Sequence, residues 1–579
     1  MSTSERRIKV ARGLEKADLV LKNGWIINVF TMNVEKVDVA ICEGIICGVG
    51  IYEGIEEVDC TGYYIAPGFM DSHIHIESSM LHPQEFSNAV VPHGTTTIYT
   101  DPHEIANVCG VDGIDFMLDA TGNIPLDVFF LLPSCIPSSP FDESGAFLDA
   151  EKLKPYYDNS RVLGLAELMD YEGTISGSRD ILKKLEDASG KIVDGHGPSL
   201  SGKDLCAYVT AGVLSDHECT TLQEAKERIR LGQTVMIREG TAAKNLESLI
   251  ELFAEPYYQR CILATDDRHP GSLKKEGHIN FIIRKAVSFG VDPIKAIAMS
   301  TYQTARYFNL KDRGAIAPHY IADIIVLEDL KEFYVKKVYK KGKLVAENGN
   351  MIEYLSEPKN TDDKYKSIYH SFHISKLEES DFYIEEPSGD KRNQMRVISL
   401  VDNQITTTEQ IEEYEPENNG INIHKDILKL AVVERHKGTG SIGLGYVSGY
   451  GLKSGAIASS VSHDSHNLII IGTNEKDMAL AANTVQEMEG GYVIANNGVI
   501  IDKLPLPIAG LMSDKKAEDL AEDMDKIKKR AYELGIAEGV DPFMTLAFIS
   551  LPVIPELRLT TKGLVNVKEQ KLVPNFLEG

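Results

Sequence analysis

Cysteine is scarce and poorly placed for cross-linking. The eight residues (Cys42, Cys47, Cys60, Cys109, Cys135, Cys206, Cys219 and Cys261) all fall in the first half of the chain, never as C-x-x-C. That excludes a disulfide framework and a thiolate zinc site, and leaves reduced, mostly buried thiols. Basic residues are outnumbered, with 60 Lys and Arg against 86 Asp and Glu and a formal charge of −26. Such a surface repels phosphate backbones and anionic bilayers, so neither nucleic acid nor a membrane is an expected partner. No apolar leader opens the sequence and no run of about 18 apolar residues follows, so a cytoplasmic protein without membrane helices is expected. Proline and glycine are not in excess. With 43% hydrophobic and 25% charged residues the chain reads as globular, and 579 residues exceed one core, suggesting about three units at roughly 100–200 residues each.

What is present has a clear order. Residues 16–66 alternate apolar and polar positions in short runs broken by glycine, the pattern of an antiparallel β meander, and a matching fragment appears only at 322–349. Between them, apolar strand-like runs recur around 68–74, 95–100, 127–132, 161–167, 191–195, 212–216, 233–238 and 261–265, with helix-like stretches in the gaps. Eight such units predict an α/β fold, a (β/α)8 TIM-like barrel whose parallel strands end at one rim. The expected division is a composite β-sandwich from 1–66 plus 313–355, the barrel over 67–312, a polar and loosely structured connector over 356–392, and a C-terminal α+β domain over 393–579. In that last part the glycines of KGTGSIGLGYVSGYG satisfy G-x-G-x-x-G, but no helix can follow so glycine-rich a stretch, and a dinucleotide site is not expected.

The chemistry concentrates at the ends of those runs. In GFMDSHIHIESS, His73 and His75 stand two apart on a strand and point to one face, roughly 7 Å apart along the backbone. Later runs close on Glu167, His196, His217 and Asp266. Any one of these has an ordinary reading as a satisfied core histidine or a helix cap. Five strand ends in register at a barrel rim point instead to two divalent ions, one carboxylate bridging them and open positions holding a hydroxide.

These motifs resemble the amidohydrolase superfamily of metal-dependent hydrolases. PGFMDSHIHIESS, TDPHEIANV, GHGPSLSG, SDHE, ADIIVLEDL, and the C-terminal SVSHDSHN and NNGVIIDKLPLPIAGLMSD are similar to bacterial adenine deaminases of the Ade type, over nearly the whole chain. Many binuclear members carry a carboxylated lysine after the fourth strand. RVLGLAELMDY has none, and Glu167 stands there, as in adenine deaminases. The zinc signature P-C-x-x-C of cytidine-type deaminases is absent.

The resemblance implies hydrolysis of adenine to hypoxanthine and ammonia in purine salvage, by attack of a metal-bound hydroxide on C6, with Mn2+ as the favoured pair of ions and Fe2+ or Zn2+ as alternatives. It implies a small-molecule purine as partner and a homodimer. The aspartate after the eighth strand, Asp266, both ligates metal and carries the hydroxide proton to the leaving amine. A second acid must protonate N1. Glu104 with its neighbour His103 ranks first; Glu77, Glu218, Glu239 and Arg238 are assigned to the substrate wall, with helix capping or support of the metal ligands as their ordinary alternatives. His463, Asp464 and His466 are left between closing the barrel mouth, binding a further ion, and a plain polar loop. The rival readings are another cyclic amide or amidine hydrolase on the same scaffold and a barrel that has lost catalysis.

Overall fold

Continuous apolar runs become strands buried on both faces, which is the condition for a parallel sheet covered by helices. In the computed structural model, which describes residues 3–241, 243–355, 363–385, 394–401 and 404–577, eight parallel strands form the centre. They are β1 (Phe69–Ile74), β2 (Thr95–Thr100), β3 (Asp127–Leu132), β4 (Val162–Leu168), β5 (Ile192–Gly195), β6 (Ser215–Asp216), β7 (Thr234–Arg238) and β8 (Cys261–Ala264). Strands β1 to β5 pair in sequence, as do β6 to β8. The ring closes at two seams. Leu214 N–H donates to Val193 O at 3.0 Å, and Asp266 N–H donates to His73 O at 2.9 Å beside an Ile74–Asp266 bridge. Met70, Tyr99, Leu131, Ala166, Ile192, Met236 and Ile262 fill the interior, capped at the bottom by Phe308 stacked on Tyr99. The barrel is therefore a packed core below and a cup above.

A seven-stranded sheet draws on both flanks of the barrel sequence. Ile324–Leu327 pairs antiparallel with Tyr64–Pro67, and this seam joins the C-terminal flank to the N-terminal one. A four-stranded sheet from 17–59 packs against it through Leu21, Ile41, Ile65, Ile324 and Tyr339. The expected all-antiparallel meander is corrected here: Ala17–Lys22 pairs parallel with Gly54–Asp59, and Trp25–Asn28 pairs parallel with Tyr64–Pro67. The chain bends at Asn23, whose φ is 62°, and the two halves of the first run enter different sheets. Each then meets its parallel partner after a crossover, while Trp25–Asn28 also forms a hairpin with Asn33–Lys36.

The C-terminal part is an eight-stranded, mostly antiparallel sheet bearing the helices Glu475–Glu487 and Ala517–Glu533. The glycine-rich stretch is strand Ile442–Ser448, antiparallel to Leu428–Val433. A Cβ on Gly443 would meet Thr560 O at 1.8 Å, so its glycine permits close packing and cradles no phosphate. The described part of the polar segment, 363–385, is not loose. Ile368, Phe372, Ile374, Leu377 and Phe382 are buried, and Asn483 holds both the N–H and the carbonyl of Leu377. Apolar anchors spaced through polar residues make it a strap. No helix among the described residues is long and apolar enough to cross a membrane.

Candidate active site

The rim residues are aimed by local backbone devices. A register shift between Asp71 and Ile74 against β2 turns the end of β1, and Asp71 anchors it by accepting from Thr265 N and Oγ1 at 3.0 and 2.5 Å. His73 and His75 then lie with ring centres 4.8 Å apart, both buried. Asp266 reaches the same point from β8 with a φ of 58°, a left-handed conformation that aspartate tolerates.

Glu167 sits at the middle. Its Oε1 lies 3.3 Å from His75 Nε2 and 3.9 Å from His73 Nε2, while Oε2 lies 2.8 Å from His196 Nδ1 and 3.2 Å from His217 Nε2. Asp266 Oδ1 is 3.3 Å from His75 Nε2 and 3.6 Å from His73 Nε2. The buried Nε2 of His73 has no hydrogen-bond partner. His75 Nδ1 faces the Asp101 carbonyl at 3.0 Å, and donating to it leaves Nε2 with a free lone pair. Ligands about 2.1 Å from one ion stand about 3.0–3.4 Å from each other, close to the contacts of His75, His217 and Asp266 in this cluster, while the His196–Glu167 contact at 2.8 Å is a hydrogen bond. The donor set therefore fits one divalent ion at His73, His75 and Asp266 and a second at His196 and His217, with Glu167 shared. Burial opposes ionisation of Glu167, but His196, His217 and His75 outweigh it and hold its carboxyl well below the usual range.

Arg238 lies at the edge. Its Nη1 donates to Glu218 at 2.6 Å and to Asp266 at 2.5 Å, and Nη2 donates to Glu218 at 3.0 Å. This guanidinium lowers the carboxyls of Glu218 and Asp266 against the burial that would raise them. Next to the ligand candidates a small cavity is lined by Glu77, Ser78, Glu104, His269, His463 and His466 among others. Burial pushes Glu77 up to about 7. Glu104 is buried and faces three imidazoles: His103 Nε2 at 3.3 Å, His463 Nδ1 at 2.7 Å, and His466 Nε2 in a short contact. They hold it ionised despite burial.

Residues 64–345 match the amidohydrolase family, and residues 404–571 match the adenine deaminase C-terminal domain. Adenine deaminase 2 of Carboxydothermus hydrogenoformans is 47% identical over 570 residues, covering 98% of each chain, and the adenine deaminase of Petrotoga mobilis is 45% identical with the same coverage. The chain belongs to the adenine deaminase family. Among solved structures, a β-aspartyl dipeptidase from Fervidobacterium islandicum aligns with 58% of this chain and 98% of its own at 17% identity and a TM-score of 0.44.

Within this adenine deaminase family framework, the structure gathers His73, His75, Glu167, His196, His217 and Asp266 at one point, with His103 beside them at 3.5 Å from Glu167. It places Glu77 and Glu104 on the cavity. Of the other residues assigned to the substrate wall, Glu218 and Arg238 pair with each other beside Asp266, and neither lines that cavity. Glu239 turns away: its Oε1 accepts from Lys285 at 2.5 Å. Successive residues at a strand end face opposite sides, and Arg238 takes the inner one. Sequence reasoning passed over Asp101, which braces His103 at 3.1 Å, and Asp267, which accepts from Ser78 Oγ at 2.5 Å. The signal was available in TDPHE and TDDRH, where each strand-end acid has a second polar residue nearby. His463 and His466 enter the cavity wall from the last domain.

Proposed function

We propose that the protein hydrolyses adenine to hypoxanthine and ammonia, a purine salvage reaction, and that Glu167 organises the site. The observation that supports this most is the division of Glu167, one oxygen toward the β1 histidines and the other toward His196 and His217. Two divalent ions held by His73, His75, Glu167, His196, His217 and Asp266 would supply an ionised water at neutral pH. Imidazole and carboxylate donors without thiolate suit manganese or iron, with zinc as competitor.

The protein's own groups manage the protons. Asp266 is kept ionised by Arg238 on Oδ2, while Oδ1 faces the histidines at the reaction point, so it can take a proton from water and give it to the departing amino group. Glu104 acts together with its partner His103 in the second proton transfer, its carboxyl held below the usual range by the imidazoles that face it. It serves as the anion on which a protonated imidazole, His103 in first place, is held for N1; the charge of Glu104 raises His103 despite burial.

Manganese-reconstituted protein assayed for ammonia release should act on adenine and leave hydantoin and dihydroorotate intact. Asp266→Asn should lower turnover about 10²- to 10⁴-fold with an unchanged circular dichroism spectrum. Preference for a cyclic amide would overturn the substrate, and full activity in Asp266→Asn would overturn the proton carrier.

A further inference from the structure

The loop 462–466 reaches the barrel from 359 positions downstream of Glu104 and places two imidazoles on one carboxylate. Glu104, His463 and His466 offer three donors close enough to hold a cation. A backbone contact decides against that use. Ser462 N–H donates to His466 Nδ1 at 3.1 Å, so Nδ1 keeps its lone pair and the ring proton sits on Nε2. An Nε2–H aimed at Glu104 Oε2 is a hydrogen-bond donor, and a cation there would have to displace that proton. His466 is clamped further: its carbonyl accepts from the buried Arg435 Nε at 2.5 Å, and its own φ is 53°. His463 Nδ1 addresses the other oxygen, with its ring stacked on Phe548 at 4.7 Å. Both oxygens of Glu104 are thus met by donors from another domain, in the wall of the cavity.

We infer that His463 and His466 are positioning residues for the deamination, fixing the orientation of Glu104 so that the C-terminal domain completes the proton-handling apparatus of the barrel. This rests on the adenine deaminase reading of the site. It predicts that each nitrogen can be replaced by an amide placed where that nitrogen stands. In manganese-reconstituted full-length protein, His466→Ala and His463→Ala should lower kcat about 10- to 100-fold with KM for adenine little changed. His466→Gln, which keeps a donor at the Nε2 position, and His463→Asn, which keeps one at Nδ1, should recover most of the loss. In a Glu104→Gln background the same substitutions should cost almost nothing further, because residues acting through one carboxylate are not additive.

Alanine variants within twofold of wild type would overturn the proposal. So would equal losses in the amide variants that persist undiminished with Glu104→Gln, the mark of a purely structural role. A third metal equivalent per chain that disappears in His466→Gln would overturn it in favour of a cation site. Should the alanine variants fail to fold, the amide variants carry the test. If wild type does not deaminate adenine, the functional reading fails separately, and the tautomer is still read by imidazole 15N NMR. A proton on Nε2 of His466 supports the inference, and a proton on Nδ1 refutes it.

Discussion

Arg228 is an ion buried beneath the rim, and its removal should be felt both in stability and at the metal ligands. Its side chain is 1% exposed and that of Asp216 is 0% exposed. Nε donates to Asp216 at 3.0 Å, Nη1 to the Leu200 carbonyl and Nη2 to the Gly197 carbonyl, both at 2.6 Å. Asp216 also accepts from Glu218 N at 2.7 Å, so one guanidinium fixes the loop that leaves His196 and the turn that carries His217. Arg228→Met keeps most of the volume but leaves the Asp216 charge uncompensated and takes a donor from the Leu200 and Gly197 carbonyls in the interior. Removing one partner of a buried pair costs about 3–5 kcal/mol. At about 2 °C per kcal/mol this corresponds to a fall in apparent Tm of roughly 8 °C, and the binding of divalent metal should weaken with it. Differential scanning fluorimetry on metal-loaded protein measures the first, and elemental analysis after dialysis the second. Arg228→Met combined with Asp216→Asn should regain part of the lost stability, since no charge is then left buried. A fall under about 2 °C, or a double variant no better than the single one, would refute this reasoning.

Other substitutions test separate parts. Glu167→Gln, purified from metal-replete cells, should hold less than half the divalent metal of wild type by elemental analysis and lose about 10³-fold in turnover. His82 is buried, accepts from Gln84 N at 3.2 Å, and is pushed down by burial to about 4. An unfolded histidine titrates near 6.5, so the unfolded chain binds more protons between pH 6.5 and 4 and stability falls across that window as pH drops. The loss is on the order of 3 kcal/mol by pH 4; unfolding midpoints in denaturant at pH 7, 5.5 and 4.5 should show a smaller decline in His82→Gln, and equal slopes would contradict it. Asp127 receives Arg313 at 2.6 Å and Lys340 at 2.8 Å where barrel and sandwich meet. Asp127→Leu should lower the thermal midpoint by several degrees, from about 3–5 kcal/mol, without altering KM for adenine.

The barrel was legible because parallel strands covered on both faces must be apolar throughout, and all eight runs stand out against polar, helix-periodic gaps. Even β6, only Ser215–Asp216, announced itself through AGVLSDH. The histidine and carboxylate ligand candidates were legible for the same reason: a strand end fixes where a side chain lands. What stayed hidden depends on contacts distant in sequence. The parallel pairs of the sandwich follow from a bend at Asn23 that local alternation does not encode. The strap at 363–385 was masked by its polarity, since few of its residues are anchors. Arg238 and Glu239 were indistinguishable until the register of β7 was known. The loop bearing His463 and His466 could be singled out by composition, but nothing local says that its partner is Glu104.

The strand Tyr64–Pro67 has one neighbour at Trp25–Asn28 and the other at Ile324–Leu327. During synthesis it therefore waits, half paired, for roughly 260 residues of nascent chain, about 13–50 s at ribosomal speeds of 5–20 residues per second. An unfilled β edge of that lifetime is a template for illicit pairing with neighbouring polysomes. Heterologous yield should accordingly respond to chaperone supply and slower induction more than to any change at the catalytic rim.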